Sequence, residues 1–491
     1  MVPTPRPRPR EEVSVLSERD DPRLGKVVRR VSAGVGSLLF LWALSDDPLI
    51  GGGPGFGFTQ ALVLGIGVLL AASGFASLAW NARALALVLS MGFVVVVGEV
   101  AVRVLYSSRY ERPYELDEKV LYRLVPGTLR EYRREPINGG DRILYQVNED
   151  GYRGEELAAQ PYARIVVYGD SFIQAEFSAL ENTFSERLEY HVSQRLGFDV
   201  EVVNAGVAGF GPDQALRKME RELPALEPDL VVVAVFAGND FGDPIRNKLF
   251  RVDGSGTLKE TAFTIEPEER RVMEVGRREL ILKRVLREAV YALADRLGLH
   301  STQSSEVDEM DPRERLDFFR EQHLREYEEY IVRGDDVVRE LAWDSYDADV
   351  SLTPKSDAAR YKARLMDAVL GQMQVLTSSL SIPMVLLPIP HPIDVGGHDT
   401  GTVDSEKYPE YESRGLVRIL EEIAARRSIP VVDLFTPFSE QGSETVYFRG
   451  FDDHWNDHGQ DFAGELVADF LIRRNLLAGT IRDALPPRRG G

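Results

Sequence analysis

Arg164-Ile165-Val166-Val167-Tyr168-Gly169-Asp170-Ser171-Phe172 decides how this chain of 491 residues is read. Ile165, Val166 and Val167 follow one another without polar alternation, which is how a parallel strand buried on both faces is written. The run stops abruptly at Gly169-Asp170-Ser171. Open α/β sheets place their chemistry just beyond the carboxyl ends of such strands. A serine there acts as a nucleophile when a histidine from elsewhere reaches it. The plainer reading is that Asp170-Ser171 caps the next helix.

Working outward, the same alternation of elements repeats. The expected strands are 164–168, 198–203, 229–236, 383–387 and 429–434. Between and after them, helices are expected at 183–196, 213–222, 357–380, 416–427 and 461–476. Asn182 or Thr183 caps the first of these and Pro212 opens the second. Strands alternating with helices imply a parallel sheet covered on both faces. One insertion, about 243–355, interrupts the pattern; Asp253-Gly254-Ser255-Gly256 reads as a hairpin tip, and charged helical periodicity runs through 268–297 and 312–333. An insertion beside an active-site edge serves as a lid, a substrate wall or neutral decoration.

Toward the N-terminus the composition changes. Residues 1–30 alternate Pro with Arg and then mix charges without apolar period, as a disordered tail does. Three apolar runs follow within 31–106: 31–45, 58–80 and 84–106. The last two are long enough to cross a bilayer; the first is short and also reads as a buried helix or an uncleaved signal anchor. Glu99 and Arg103 lie four apart on one helical face and are spaced to pair. Basic residues crowd before the first run, and 45–59 carries only acidic charge. The positive-inside rule then puts the N-terminus in the cytoplasm and everything after Tyr106 outside. The competing reading is a set of core helices in a soluble protein. Residues 107–161 read as a polar lead-in whose turn-rich Asn148-Glu149-Asp150-Gly151-Tyr152-Arg153-Gly154 delivers the chain to the sheet; 481–491 reads as a flexible tail.

Bulk properties exclude some classes. A formal net charge of −20 argues against nucleic-acid binding. With no cysteine, disulfides and thiolate metal sites are excluded.

Four short blocks stand at strand ends or before the last helix: Gly169-Asp170-Ser171, Asn204-Ala205-Gly206-Val207-Ala208-Gly209, Ala237-Gly238-Asn239-Asp240 and Asp452-Asp453-His454-Trp455-Asn456. In this order the chain resembles the SGNH/GDSL hydrolase superfamily, over roughly 164–241 and 357–476. The resemblance implies a three-layer α/β/α, flavodoxin-like hydrolase domain at 162–480, which follows the transmembrane helices read from the apolar runs. It also implies Ser171 as nucleophile, His454 as general base and Asp452 as the acid orienting it, with an oxyanion hole from Ser171, Gly209 and Asn239 and no cofactor or metal. Phe172 stands where the eponymous motif has Leu, and the last block is Asp-x-His rather than Asp-x-x-His, so Asp453 competes with Asp452. Gly206 competes with Gly209, and Asn239-Asp240 also reads as an ordinary turn. His454 and His458, four apart among aspartates, have a spacing that suits a metal. His391, among prolines after a strand, reads as an ordinary loop histidine or as one lining the cleft.

The implied function is a membrane-anchored, outward-facing serine esterase acting through an acyl-enzyme on an O-acylated carbohydrate or a lipid ester. The Asp-His-Trp-Asn block is similar to that of envelope proteins that add or remove O-acetyl groups on exported polysaccharides. The alternatives are an O-acyltransferase for such a glycan and a catalytically silent envelope scaffold.

Overall fold

A computed structural model describes residues 22–45, 56–262, 355–396, 409–450 and 453–477, apart from 111–112, with a few positions in 265–286, at 347 and 350–352, and at 406. These fall into two compact units, one within Met1–Leu105 and Arg278–Val285, the other within Tyr106–Arg277 and Leu286–Gly491. Asp452, the helix expected at 312–333 and all but a few positions of the one expected at 268–297 lie outside the described residues.

In the first unit, α1 (Pro22–Leu44), α2 (Phe58–Ser73) and α3 (Leu78–Tyr110) follow one another. Two stretches, Arg23–Leu44 and Leu78–Leu105, are long and apolar enough to cross a membrane; α2 has 16 residues. The second apolar run therefore ends earlier than its composition suggests. Gly74, Phe75 and Ala76 form a turn before α3, and Arg29 of α1 donates to the carbonyls of Gly74 and Ala76. Buried polar side chains tie the helices together: Ser32 donates to Asn81 Oδ1, and Asn81 Nδ2 donates to Ser73 (3.1 and 2.8 Å). Arg103 and Glu99 pair at 2.8 Å, as their spacing suggests. The Glu99 carboxylate also accepts the backbone N–H groups of Ile281 and Leu282.

The second unit is built on a parallel sheet of β5 (Arg164–Tyr168), β6 (Glu201–Asn204), β7 (Leu230–Phe236) and β10 (Met384–Ile389), in the order β10-β7-β5-β6. All seven residues of β7 are buried. The expected fifth strand is reduced to one parallel bridge, Leu386 with Val431. Pro430 contributes its carbonyl to Leu386 but has no N–H to extend the ladder. Counting that bridge, the spatial order in chain sequence is 2-1-3-4-5. The connections run in opposite directions from the first strand, so a crevice opens at its carboxyl end.

Alternate residues of the strands feed two cores. Val166, Tyr168, Val231, Val233 and Leu386 pack with α6 (Pro212–Leu226), α8 (Asp357–Ser379) and α9 (Gly415–Arg427). Ile165, Val167, Val232, Val385 and Leu387 pack on the opposite face with α5 (Phe184–Leu196) and α10 (Asp457–Arg473). The fold is a three-layer α/β/α sandwich. Between β5 and α5 lies a single turn, α4 (Ser171–Gln174), and after β7 comes the short α7 (Asp243–Asn247).

Before the sheet, β1 (Tyr114–Asp117) pairs with β2 (Leu121–Leu124), and β3 (Leu129–Arg133) with β4 (Arg142–Gln146), both antiparallel. The stretch read as a polar lead-in is thus two hairpins, with their own small core of Val120, Leu124, Tyr145 and Val147 against Val207 and Phe210. The insertion opens with the hairpin β8 (Phe250–Val252) and β9 (Leu258–Glu260), with Asp253-Gly254-Ser255-Gly256 at its tip as read. At its far end Asp347 is fully buried and ion-paired at 2.9 Å with Lys362 of α8, also fully buried. Asp347 also accepts the N–H of Gly242 and donates its own N–H to Gly238, behind the turn that carries Asn239.

Removing one partner of a buried ion pair leaves an uncompensated charge. Lys362→Met is therefore expected to destabilise the protein by about 3–5 kcal/mol. Adding Asp347→Leu recovers part of that loss, as measured by denaturant unfolding of the full chain in detergent.

Candidate active site

Ser171 is the first residue of α4, held where β5 ends by the Asp170 cap. Asp170 Oδ1 accepts the N–H of Phe172 at 3.0 Å. The turn closes at once, because Ala175 takes a left-handed conformation. From the other end of the chain, His454 brings Nε2 to 2.7 Å from Ser171 Oγ. Four features hold the histidine. Its ring lies 4.9 Å from that of Phe172, and its carbonyl accepts the N–H of Phe448. Next along, Trp455 is fully buried among Phe172, Phe184 and Phe438. Asn456 then caps α10 through Gly459 N–H and donates to the carbonyls of Thr445 and Tyr447. The closing helix begins at Asp457, four residues earlier than its apolar period suggests, because this cap sits inside the motif. His458 is thus in the first turn of α10, with its ring stacked on Phe462, and no group of three or more metal-ligating side chains occurs among the described residues.

Behind His454, Nδ1 lies 3.3 Å from Oδ1 of Asp453. The other oxygen of Asp453 is 3.9 Å from Nε2 of His391, a buried ring stacked on Phe236. His391 Nδ1 accepts the N–H of Ile393, which leaves the Nε2 edge toward Asp453. His391 therefore sits beside the site.

The second block has a division of labour. Asn204 donates to the carbonyl of Ile173 at 2.6 Å and accepts from Gly206 N–H at 3.1 Å, so β6 is tied to the turn that carries Ser171. At Gly206 a Cβ would sit 2.6 Å from the backbone nitrogen of Gln174, so the turn can approach only over glycine. Gly209 has φ +74°, in the left-handed region open to glycine. The peptide before it is clamped: Ala208 N–H donates to Gln174 Oε1 and Ala208 O accepts from Tyr122 of β2 at 2.9 Å. Asn239 is buried in the turn after β7, its carbonyl accepting from Gly242 and Asp243.

Ser171 and His454 open into a cavity of about 320 Å³. Its walls include Tyr114, Arg130 and Tyr132 from the two hairpins and Glu176 from just after α4. None of these residues carries a sequence signal, because their relation to Ser171 arises only when the hairpins dock. Burial raises the Glu176 carboxyl above its ordinary value, with Arg130 opposing the rise. Burial likewise raises Asp170, to about 7, against the opposing influence of His454.

A carboxyl whose folded-state value lies above the ordinary 3.8 stabilises the fold most below about pH 4; the contribution is lost as pH rises through about 7. The melting temperature of the full chain in detergent is expected to fall between pH 5 and 8. Asp170→Asn, which keeps an oxygen for Phe172 N–H, is expected to lack that component. Identical pH profiles for the two proteins would contradict the assignment.

No family model and no curated protein matches the chain. Among solved structures it aligns with a lipase/acylhydrolase from Enterococcus faecalis at 14% identity, over 64% of this chain and 96% of that one, with a TM-score of 0.29. It aligns with TesA at 15% identity, over 64% and 99%, with a TM-score of 0.32. Axe2, an acetylxylan esterase from Geobacillus stearothermophilus, aligns at 12% identity over 64% and 94%, with a TM-score of 0.31. Likeness at this level assigns no activity to the chain, so the functional reading is carried by the geometry around Ser171.

Proposed function

We propose that the chain is a serine esterase, and the observation that carries this is the 2.7 Å contact between Ser171 Oγ and His454 Nε2 at a cavity. In this reading Oγ attacks the ester carbonyl while its proton passes to Nε2. The imidazolium then protonates the departing alcohol, leaving Ser171 acylated. Water gives a proton to the same nitrogen and attacks the acyl carbon; the proton returns to Oγ as the acid leaves.

The oxyanion formed in each half needs donors already in place. The backbone N–H groups of Ser171 and Gly209 donate to no described residue, whereas that of Gly206 is taken by Asn204. This favours Gly209 over Gly206 as the second donor. Asn239, on the next strand end, is proposed as the third. Asp453 is the described carboxylate within reach of His454 Nδ1, and it would fix the tautomer and stabilise the imidazolium.

Membrane anchoring through α1 and α3 belongs to the same proposal. Arg29 joins the start of α1 to the turn before α3, so these basic ends share one side. By the positive-inside rule that side is cytoplasmic, and the chain that follows α3 is extracytoplasmic.

A fluorophosphonate probe on the full chain in detergent is expected to modify Ser171, located by mass spectrometry. Labelling is lost in Ser171→Ala and strongly slowed in His454→Ala, because the pair acts as a unit. Full ester turnover by Ser171→Ala would end the proposal. For the acid, Asp453→Asn is expected to lower kcat by roughly 10²–10⁴, with a much smaller effect of Asp452→Asn; the reverse order would transfer the role to Asp452.

A further inference from the structure

The catalytic cavity holds two charged side chains for which the ester chemistry has no use. Arg130 reaches it from β3 and lies 4.5 Å over the ring of Tyr132. Its Nε is buried, and the guanidinium makes neither hydrogen bond nor ion pair with any described residue. Glu176 stands in the same wall. Tyr114, Tyr132 and Gln174 all approach its Oε2 (3.5, 3.3 and 3.3 Å), and no described residue hydrogen-bonds Oε1.

We infer that Arg130 and Glu176 select the alcohol half of the substrate, and that this alcohol is a sugar. The inference rests on the reading of Ser171 as an esterase nucleophile. A sugar hydroxyl is both acceptor and donor, so one or two neighbouring hydroxyls satisfy the guanidinium and the carboxylate together. An alkyl chain in the same place would strip water from both groups and return no hydrogen bond. A phosphate would meet Arg130 but be repelled by Glu176. The rings of Tyr132 and Phe448 line the same walls. A cavity of about 320 Å³ is at the small end of ligand pockets and suits an acetyl group with one sugar ring better than a long acyl chain.

The test compares mono-O-acetylated glucose with p-nitrophenyl acetate and p-nitrophenyl palmitate on the full chain in detergent. The quantity read is the ratio of kcat/KM for the sugar ester to that for p-nitrophenyl acetate. Arg130→Leu and Glu176→Gln are each expected to lower this ratio by about 10–100-fold, chiefly through KM for the sugar ester. A ratio within twofold of wild type in both variants would overturn the inference, as would preference of the wild type for the palmitate ester. Turnover of p-nitrophenyl acetate by each variant shows that its site is assembled. Absence of turnover of all three esters by the wild type would instead sink the esterase reading on which the inference rests.

Discussion

Two helices that lie against each other, α5 and α10, set the register of the whole site. Each begins shortly after one of the residues that meet, Ser171 and His454, which are 283 positions apart. Gln460 accepts the N–H that opens α5, at Phe184; Asp461 takes Arg187 and His191; Asp469 takes Arg195 further along. These contacts prevent sliding along the helix axis, and a slip of one turn would be about 5.4 Å. That is twice the distance separating Oγ from Nε2. The apolar faces of both helices bury against the sheet, so the hydrophobic core supplies the energy and the polar pairs supply the alignment.

The Trp455-Asn456 pair explains why the histidine needs company in sequence. The indole is sunk into the aromatic group under Phe172, while the amide caps the helix and holds the preceding strand-like segment. The histidine between an anchored residue and a chain reversal has little freedom left. The same ordering cost is met before substrate arrives, which is how a site avoids reorganising in the transition state.

Much of the sheet was legible in the sequence because β5 and β7 are unbroken apolar runs, a pattern that only a two-sided core explains. The blocks after β5, β6 and β7 were legible because chemistry in an open sheet gathers at strand ends. What stayed illegible depends on contacts between segments remote in sequence. Residues 429–434 have strand composition, yet at the sheet edge with Pro430 they make one bridge. The helix expected at 213–222 continues to Leu226 as α6, since near its last turn Pro224 forfeits little. The hairpins before the sheet look polar because their tyrosines carry hydroxyls. Those rings nonetheless pack edge to face, Tyr114 on Tyr122 and Tyr132 on Tyr145, and the hydroxyls of Tyr114, Tyr122 and Tyr132 turn toward Gln174, Ala208 and Glu176. Nothing in the local pattern of 107–161 announces that it walls a cavity around Ser171.

The carboxylate of Asp347 has one further consequence. The excursion that leaves the sheet after β7 departs through Asp243 and Arg246, which pair with each other, and is moored on its return by Asp347 against Lys362 and the Gly238–Gly242 backbone. Departure and return share one knot beneath Asn239. Chain hung between two fixed moorings costs only about 0.6 kcal/mol for each doubling of its length. The stretches on either side of the Glu99 contact at Ile281 and Leu282 can therefore lengthen or shorten at little cost while the turn that carries Asn239 keeps its place.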